Sequence, residues 1–161
     1  MRTHLLAIAF GAVCVGVSAF AQTAVDLGGI TVDQGAPVEV SADTLNVDQQ
    51  AGTAVFSGNV LIGQGDLRVS AANVEVVYAE DSGDINRLIA SGGVTFVTET
   101  EAAEAQNADY NLADGTLTLT GSVLLTQGPS AISAEKMVIN VADGTAVMEG
   151  RVRTVLQQGE N

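Results

Sequence analysis

The chain carries few side chains that could perform covalent or metal chemistry. Its 161 residues include a single cysteine, Cys14, and a single histidine, His4, and both lie close to the N-terminus. The remainder of the chain therefore cannot build a Ser-His-Asp or Cys-His arrangement or the usual zinc site, because these need an imidazole or a thiolate. We expect no cofactor and no metal.

Paired carboxylates are the remaining route to catalysis, since the chain has 19 acidic residues. Asp43 and Glu135 each follow an alanine that recurs along the chain, but Ala72 and Gln106 occupy the other two equivalent positions. The acids thus do not repeat with the sequence pattern, and none falls in an obviously apolar environment. The pattern predicts that the protein is not an enzyme.

Residues 1–21 have the pattern of a secretory signal peptide. Arg2 precedes an apolar run from Leu5 to Val17, and Ala19-Phe20-Ala21 is a small-x-small cleavage site. Cleavage would remove Cys14 and His4 with the signal; retention as an uncleaved anchor is the alternative. We expect an exported protein without a disulfide.

The charge of the chain is strongly acidic, with a formal net charge of −13. Such a charge disfavours binding to nucleic acid or to an anionic surface through electrostatics. After the predicted cleavage the basic residues are Arg68, Arg87, Lys136, Arg151 and Arg153.

Small residues mark a repeat that would position any functional side chains. The repeat consists of an alanine at Ala42, Ala71, Ala105 and Ala134, followed by a Gly-x-Val at Gly58, Gly92, Gly121 and Gly150. A longer duplication lies over it, because a shift of 63 residues aligns 42–71 with 105–134 at ten identical positions. A period near 30 residues is typical of stacked units that bury their apolar faces against one another.

Apolar residues alternate with polar ones on both sides of each repeated alanine, as in half-buried strands. The alternation slips by one residue at the alanine, which indicates a tight corner between two sheets. We predict an all-β, antiparallel fold over residues 37–156, a flexible leader with at most one short strand over 22–36, and a disordered tail over 157–161. Thr98–Asn107 is read as a solvated connection leading into a strand, with a helix as the alternative.

The segment Ala54–Ala71, with its F-S-G-N-V and G-Q-G motifs, and the C-terminal Gly150–Leu156 resemble the OstA-like domain, and most closely the LptA family of periplasmic lipopolysaccharide transport proteins. The resemblance covers about residues 37–156. It implies an open β-jellyroll of stacked antiparallel strands, with two sheets in a V shape and an apolar interior.

The same resemblance implies a function. The interior would bind the acyl chains of lipid A, and the protein would join head to tail with itself and with inner-membrane-anchored and outer-membrane OstA-domain components in the periplasm. The predicted lipid contacts are Val38, Val40 and Phe96 near the N-terminal mouth, with weaker candidates at Leu45, Val47, Phe56, Val60, Ile62, Leu119, Val123, Ile139 and Met148.

Two further points stay open in the sequence. Arg68, Lys136, Arg151 and Arg153 are the only plausible contacts to a lipid headgroup, although lone surface bases are more often simply solvated. The alternative to a lipid carrier is a structural or adhesive exported β-solenoid whose core is closed.

Overall fold

The computed structural model describes residues 24–26 and 36–155. The predicted signal peptide, the predicted tail and most of the predicted leader lie outside these residues. Eleven strands are present in the described part: β1 (Ala24–Asp26), β2 (Glu39–Ser41), β3 (Thr44–Asp48), β4 (Thr53–Gln64), β5 (Leu67–Tyr78), β6 (Ile85–Val97), β7 (Glu101–Asn111), β8 (Thr116–Gln127), β9 (Ser130–Asn140), β10 (Thr145–Glu149) and β11 (Arg153–Val155).

The strands form one antiparallel sheet that does not close on itself. Consecutive strands from β4 to β10 pair with each other, β1 pairs with the outer side of β10, and β2 and β3 both pair with β4. At the far end β10 and β11 both pair with β9. Because β4 to β9 bend in the middle, the sheet has two halves. We call the half that contains β3, β10 and β1 leaf A, and the half that contains β2 and β11 leaf B.

The predicted corners are present as a row of register shifts across the sheet. They fall at Ser57–Val60 of β4, Ser70–Asn73 of β5, Ser91–Val94 of β6, Glu104–Asn107 of β7 and Thr120–Val123 of β8. A one-residue bulge bends a strand without exchanging its two faces. The bend therefore lets the apolar face of each strand line the inside of both leaves, and the predicted all-β open jellyroll with V-shaped sheets is confirmed.

Gly58, Gly92 and Gly121 lie in these bulges, and Gly150 directly follows β10. Gly121 has a φ of +83°, and a Cβ there would lie 2.8 Å from Cβ of Gln106 on the neighbouring strand. Backbone conformation and space thus both require glycine. The residue that follows each repeated alanine packs against the glycine of the next strand, which explains why the two small residues recur together.

The 63-residue duplication corresponds to a repeated set of strands. β4 and β8 each have 12 residues and begin and end at equivalent positions of the two copies. Each is followed by a hairpin partner, β5 or β9. Residues 44–48 of β3 align with residues 107–111 at the end of β7. Each copy therefore starts in β3 or β7, includes β4 or β8 and ends in β5 or β9, with β6 between the copies.

The core lies between the two leaves near the row of bulges. Its largest fully buried side chains are Leu119, Leu125, Met137, Ile139, Val60, Val74, Val94 and Val123. Glu101–Asn111 is a strand with Glu101, Ala103 and Ala105 buried. The helical alternative for Thr98–Asn107 is therefore wrong, and the predicted solvated connection is limited to residues 98–100. The reason is that Ala103, Ala105 and Ala108 are small, buried and spaced to lie between β6 and β8, where strand pairing satisfies the backbone.

Candidate functional site: an apolar trough

An open trough of about 350 Å³ lies between the leaves toward the N-terminal end of the sheet. It is lined by Val38, Val40, Phe56, Ile62, Gln64, Leu67, Val69, Val74, Val76, Ile85, Leu88, Ala90, Ala108, Tyr110, Leu112, Leu117, Ile139 and Val141. The volume is at the lower end of the range for small-molecule sites. None of these residues is charged.

Cross-strand layers of inward side chains build the floor of the trough in leaf A. In the layer beside the bulges, Val74, Ala90 and Ala108 lie opposite one another on successive strands. The two alanines leave room that larger side chains would fill, because inward residues in a packed sheet normally interdigitate to high density. This small pair thus helps to keep the trough open.

The next cross-strand layer, further from the row of bulges, is wider. Val76, Leu88 and Tyr110 lie opposite one another on β5, β6 and β7, and Leu117 and Ile139 continue the layer on β8 and β9. Tyr110 supplies an apolar ring with a hydroxyl at its tip, which suits a boundary between hydrocarbon and water. The trough therefore offers a hydrocarbon surface several strands wide.

The entrance on leaf B comes from the N-terminal segment. Val40 lies opposite Ile62 of β4, and Val38 lines the same trough. The side-chain amide of Gln64 donates a hydrogen bond to the carbonyl of Ala36 at 3.2 Å. This bond ties the start of the described domain to the rim of leaf B.

Basic side chains lie outside the trough and are mostly engaged with neighbours. Arg87 donates to Asp109 on the outer face, with its Nε 2.7 Å from Oδ1, and this bond holds the pKa of Asp109 below its usual range. Lys136 pairs with Glu149 at 3.1 Å, and Arg151 pairs with Glu135. Arg68 donates to the carbonyl of Leu67 at 2.8 Å. No basic side chain of the described residues lines the trough.

The structure brings five of the twelve predicted lipid contacts together in the trough. These are Val38, Val40, Phe56, Ile62 and Ile139. Leu45 and Val47 lie on β3 at the open edge of the sheet and are more than half exposed. Phe96 is partly buried against the core, and the remaining four are buried in it, namely Val60, Leu119, Val123 and Met148.

Sequence reasoning did not single out several residues that line the trough. Leu88 and Tyr110 lie in alternating segments that were recognised as strands, and Ile85 and Leu112 lie at the ends of such segments. The alternation gives the face of a residue but not the separation of the two leaves at that residue. Val74, Ala90 and Ala108 line the trough, whereas Leu119 in the same cross-strand layer does not.

One acidic residue is buried, contrary to the expectation that no acid occupies an apolar environment. Glu101 at the start of β7 is 5% exposed, and its Oε1 accepts a hydrogen bond from the Gln127 amide at 2.7 Å. Its Oε2 is buried and has no hydrogen-bond partner among the described residues. Burial raises the pKa of Glu101. Its inward direction follows from the spacing to Ala103 and Ala105, which share its face.

The outer edges of the terminal strands form the second feature of the site. Among the described residues, β2 and β3 pair only with β4, and β11 pairs only with β9. Their outer backbone groups can therefore accept an added strand. Within residues 24–26 and 36–155, no cluster of acids, histidines or cysteines has the arrangement of a metal site, and no helix is long and apolar enough to span a membrane.

The bent open sheet and its uncharged trough define a class of β-jellyroll proteins with an accessible apolar interior. Residues 39–159 match the model of the family described as LptA/(LptD N-terminal domain) LPS transport protein, and the chain belongs to this family.

Similar proteins support this assignment. An uncharacterized protein of Rhizobium meliloti (strain 1021) is 29% identical over 133 residues, which are 76% of this chain and 72% of that protein. The lipopolysaccharide export system protein LptA of Escherichia coli (strain K12) is 26% identical over 106 residues, 61% of this chain and 56% of that protein.

A solved structure shares the fold. The crystal structure of LptH, the LptA homologous periplasmic component of the lipopolysaccharide transport device from Pseudomonas aeruginosa, superimposes with a TM-score of 0.70 at 17% identity. The match covers 79% of this chain and 99% of LptH.

Proposed function

We propose that the protein binds lipopolysaccharide through its acyl chains in the apolar trough and carries it across the periplasm. The observation that supports this most directly is a trough that is open, apolar and without charged lining. Family membership gives the transport role; the binding mode and the compartment belong to the proposal.

The physical basis is the transfer of hydrocarbon out of water. Each buried methylene contributes about 0.8 kcal/mol, so an acyl chain of about a dozen carbons gains several kcal/mol without a charged contact. Headgroup phosphates would remain outside, because the trough offers them no base and the net charge of the chain is −13.

We further propose that copies join head to tail, and that the end copies join inner-membrane-anchored and outer-membrane components with the same type of domain. The open edges of β2 and β3 at one end and of β11 at the other support this arrangement. Strand addition at these edges would align the interiors of neighbouring domains. A closed-core solenoid is disfavoured by the open trough.

Binding of purified ligands tests the lipid role. We expect the protein to bind lipopolysaccharide and lipid A but not the deacylated oligosaccharide. V40D should weaken binding at least about tenfold, since a charge placed against hydrocarbon loses hydration. The matched control is L61D, because Leu61 is as apolar, is 56% exposed and faces outward next to the same edge.

Equal binding of the deacylated oligosaccharide would contradict the proposal. So would equal losses in V40D and L61D, because the trough would then have no special part in binding.

A further inference from the structure

The two ends of the sheet differ in how their edges are covered. At the N-terminal end, β2 and β3 have no strand on their outer side among the described residues. At the C-terminal end β11 is likewise uncovered, but β10 pairs on its outer side with β1, with Val25 opposite Ala146. The chain's own first strand therefore covers part of the edge that a neighbour would need.

This cover is short. β1 pairs with Thr145, Ala146 and Val147, whereas β10 continues to Glu149. Among the described residues, Met148 and Glu149 therefore have no strand partner on the outer side of β10. A longer strand would satisfy more of the backbone groups of β10 than β1 does.

Strand β3 of a second copy has the length and direction to replace β1. β3 has five residues, as many as β10. It runs away from the row of bulges, since Thr44 pairs with Ser57 beside the bulge, whereas β10 runs toward the row and ends next to Gly150. Copies stacked with leaf A on leaf A would therefore place β3 antiparallel to β10, the orientation that β1 now has.

The inward side chains of β3 are also only partly covered in the single molecule. Leu45 lies opposite Phe56 and Val47 opposite the buried Ala54, so both face the interior, yet both are more than half exposed. Met148 on β10 faces the interior of leaf A as well. Pairing of β3 with β10 would continue the apolar layer from one copy into the next.

We propose that β1 occupies the edge of β10 in the single molecule and is displaced by β3 of a second copy when two copies join. β1 is thus an intramolecular competitor that limits premature growth through an open sheet edge. This inference rests on the proposed head-to-tail assembly.

A reversible disulfide between β1 and β10 tests the displacement. The V25C/A146C variant of the exported protein has cysteines at two residues that pair directly between β1 and β10. The Cα atoms of such a pair lie about 4.5–5.5 Å apart, which is within disulfide range. We expect the oxidised form to remain monomeric at concentrations where the reduced form and the wild type assemble into larger oligomers. Size against concentration, followed by sedimentation or light scattering, gives the readout.

The control disulfide is T95C/E104C, which joins the paired residues of β6 and β7 within leaf B, away from both edges. It should leave growth unchanged in either redox state. Growth of oxidised V25C/A146C at the same concentration as its reduced form would overturn the displacement.

Removal of the competitor should have the opposite effect. A24P/V25P/D26P cannot donate backbone hydrogen bonds from β1 and should grow at a concentration about tenfold lower, since tenfold corresponds to about 1.4 kcal/mol, the net worth of one or two such bonds. Unchanged assembly of this variant would contradict the proposed role of β1 without contradicting head-to-tail assembly itself. If no form grows, wild type included, head-to-tail self-assembly is wrong and the role of β1 falls with it.

Discussion

At the scale of single residues, each bend depends on close approach between neighbouring strands. Gly92 and Gly93 of β6 both have positive φ, at +83° and +88°. They differ in their surroundings: a Cβ on Gly92 would lie 2.6 Å from Cβ of Ala72, whereas a Cβ on Gly93 would meet nothing within 4 Å. The pair thus separates backbone strain from steric fit.

We expect G92A to destabilise the protein more than G93A. Left-handed backbone costs an alanine about 1–2 kcal/mol at either position, and the clash with Ala72 adds about 1–3 kcal/mol at position 92 alone. Urea unfolding of both variants measures the difference. Equal losses would show that space at the bulge does not select glycine.

Glu101 is the other residue whose environment has a measurable consequence. Its pKa is raised above the usual 4.5, first by burial, with the Gln127 hydrogen bond acting in the opposite direction. The folded state therefore holds the proton at a higher pH than the unfolded chain does. The contribution of this pKa difference to the free energy of unfolding is fully present below the usual pKa. It is lost as the pH rises through the raised value.

The free energy of unfolding of wild type relative to E101Q should consequently fall as the pH is raised from about 4 toward neutrality. Urea titrations at several pH values measure this difference, in which the other titrating groups cancel. A flat E101Q difference would show that burial of the carboxyl has no cost.

At the scale of the strands, alternation and the repeated small residues predicted an antiparallel all-β fold with a corner at each repeated alanine, and the resemblance to the LptA family supplied the open V-shaped jellyroll. The slip after Ala71 and Ala134 places a corner in each strand, and the bulges occur there. What the sequence does not contain is the depth of each inward residue. Leu119 and Leu117 are equivalent in the alternation, yet Leu119 lies in the core and Leu117 also lines the trough. The alternation does not give the separation of the two leaves at each residue.

Strand β3 gives a test of the edge contacts. L45K should shift self-assembly to a concentration at least about tenfold higher, because an inward-facing charge at an edge opposes strand addition. Its effect on the stability of the single molecule should stay within about 0.5 kcal/mol, since Leu45 is exposed.

N46K is the matched control on the same strand, since Asn46 faces outward and is exposed. Light scattering against concentration should show N46K growing like the wild type. Equal inhibition by both substitutions would indicate general charge repulsion instead of an edge contact.

At the scale of the whole molecule, the acidic charge and the apolar interior have separate roles. The acids of the described residues lie mainly on exposed positions, where their like charges repel other copies of the chain. The trough lining includes residues away from the edge strands, such as Leu88 and Leu112, so the proposed cargo binding and assembly can be altered independently. V40D, on edge strand β2, is expected to impair both, whereas L45K should impair assembly alone.

Photo-crosslinking in living cells tests the binding of lipid in the trough most directly. A photoreactive residue would be placed at Val40 or Leu112, which line the trough, and at Leu61 on the outer face of leaf B as the control. We predict lipopolysaccharide adducts at both trough positions and none at Leu61. Adducts at Leu61 alone, or none at the trough positions while the variants fold and are exported, would contradict the proposed cargo site.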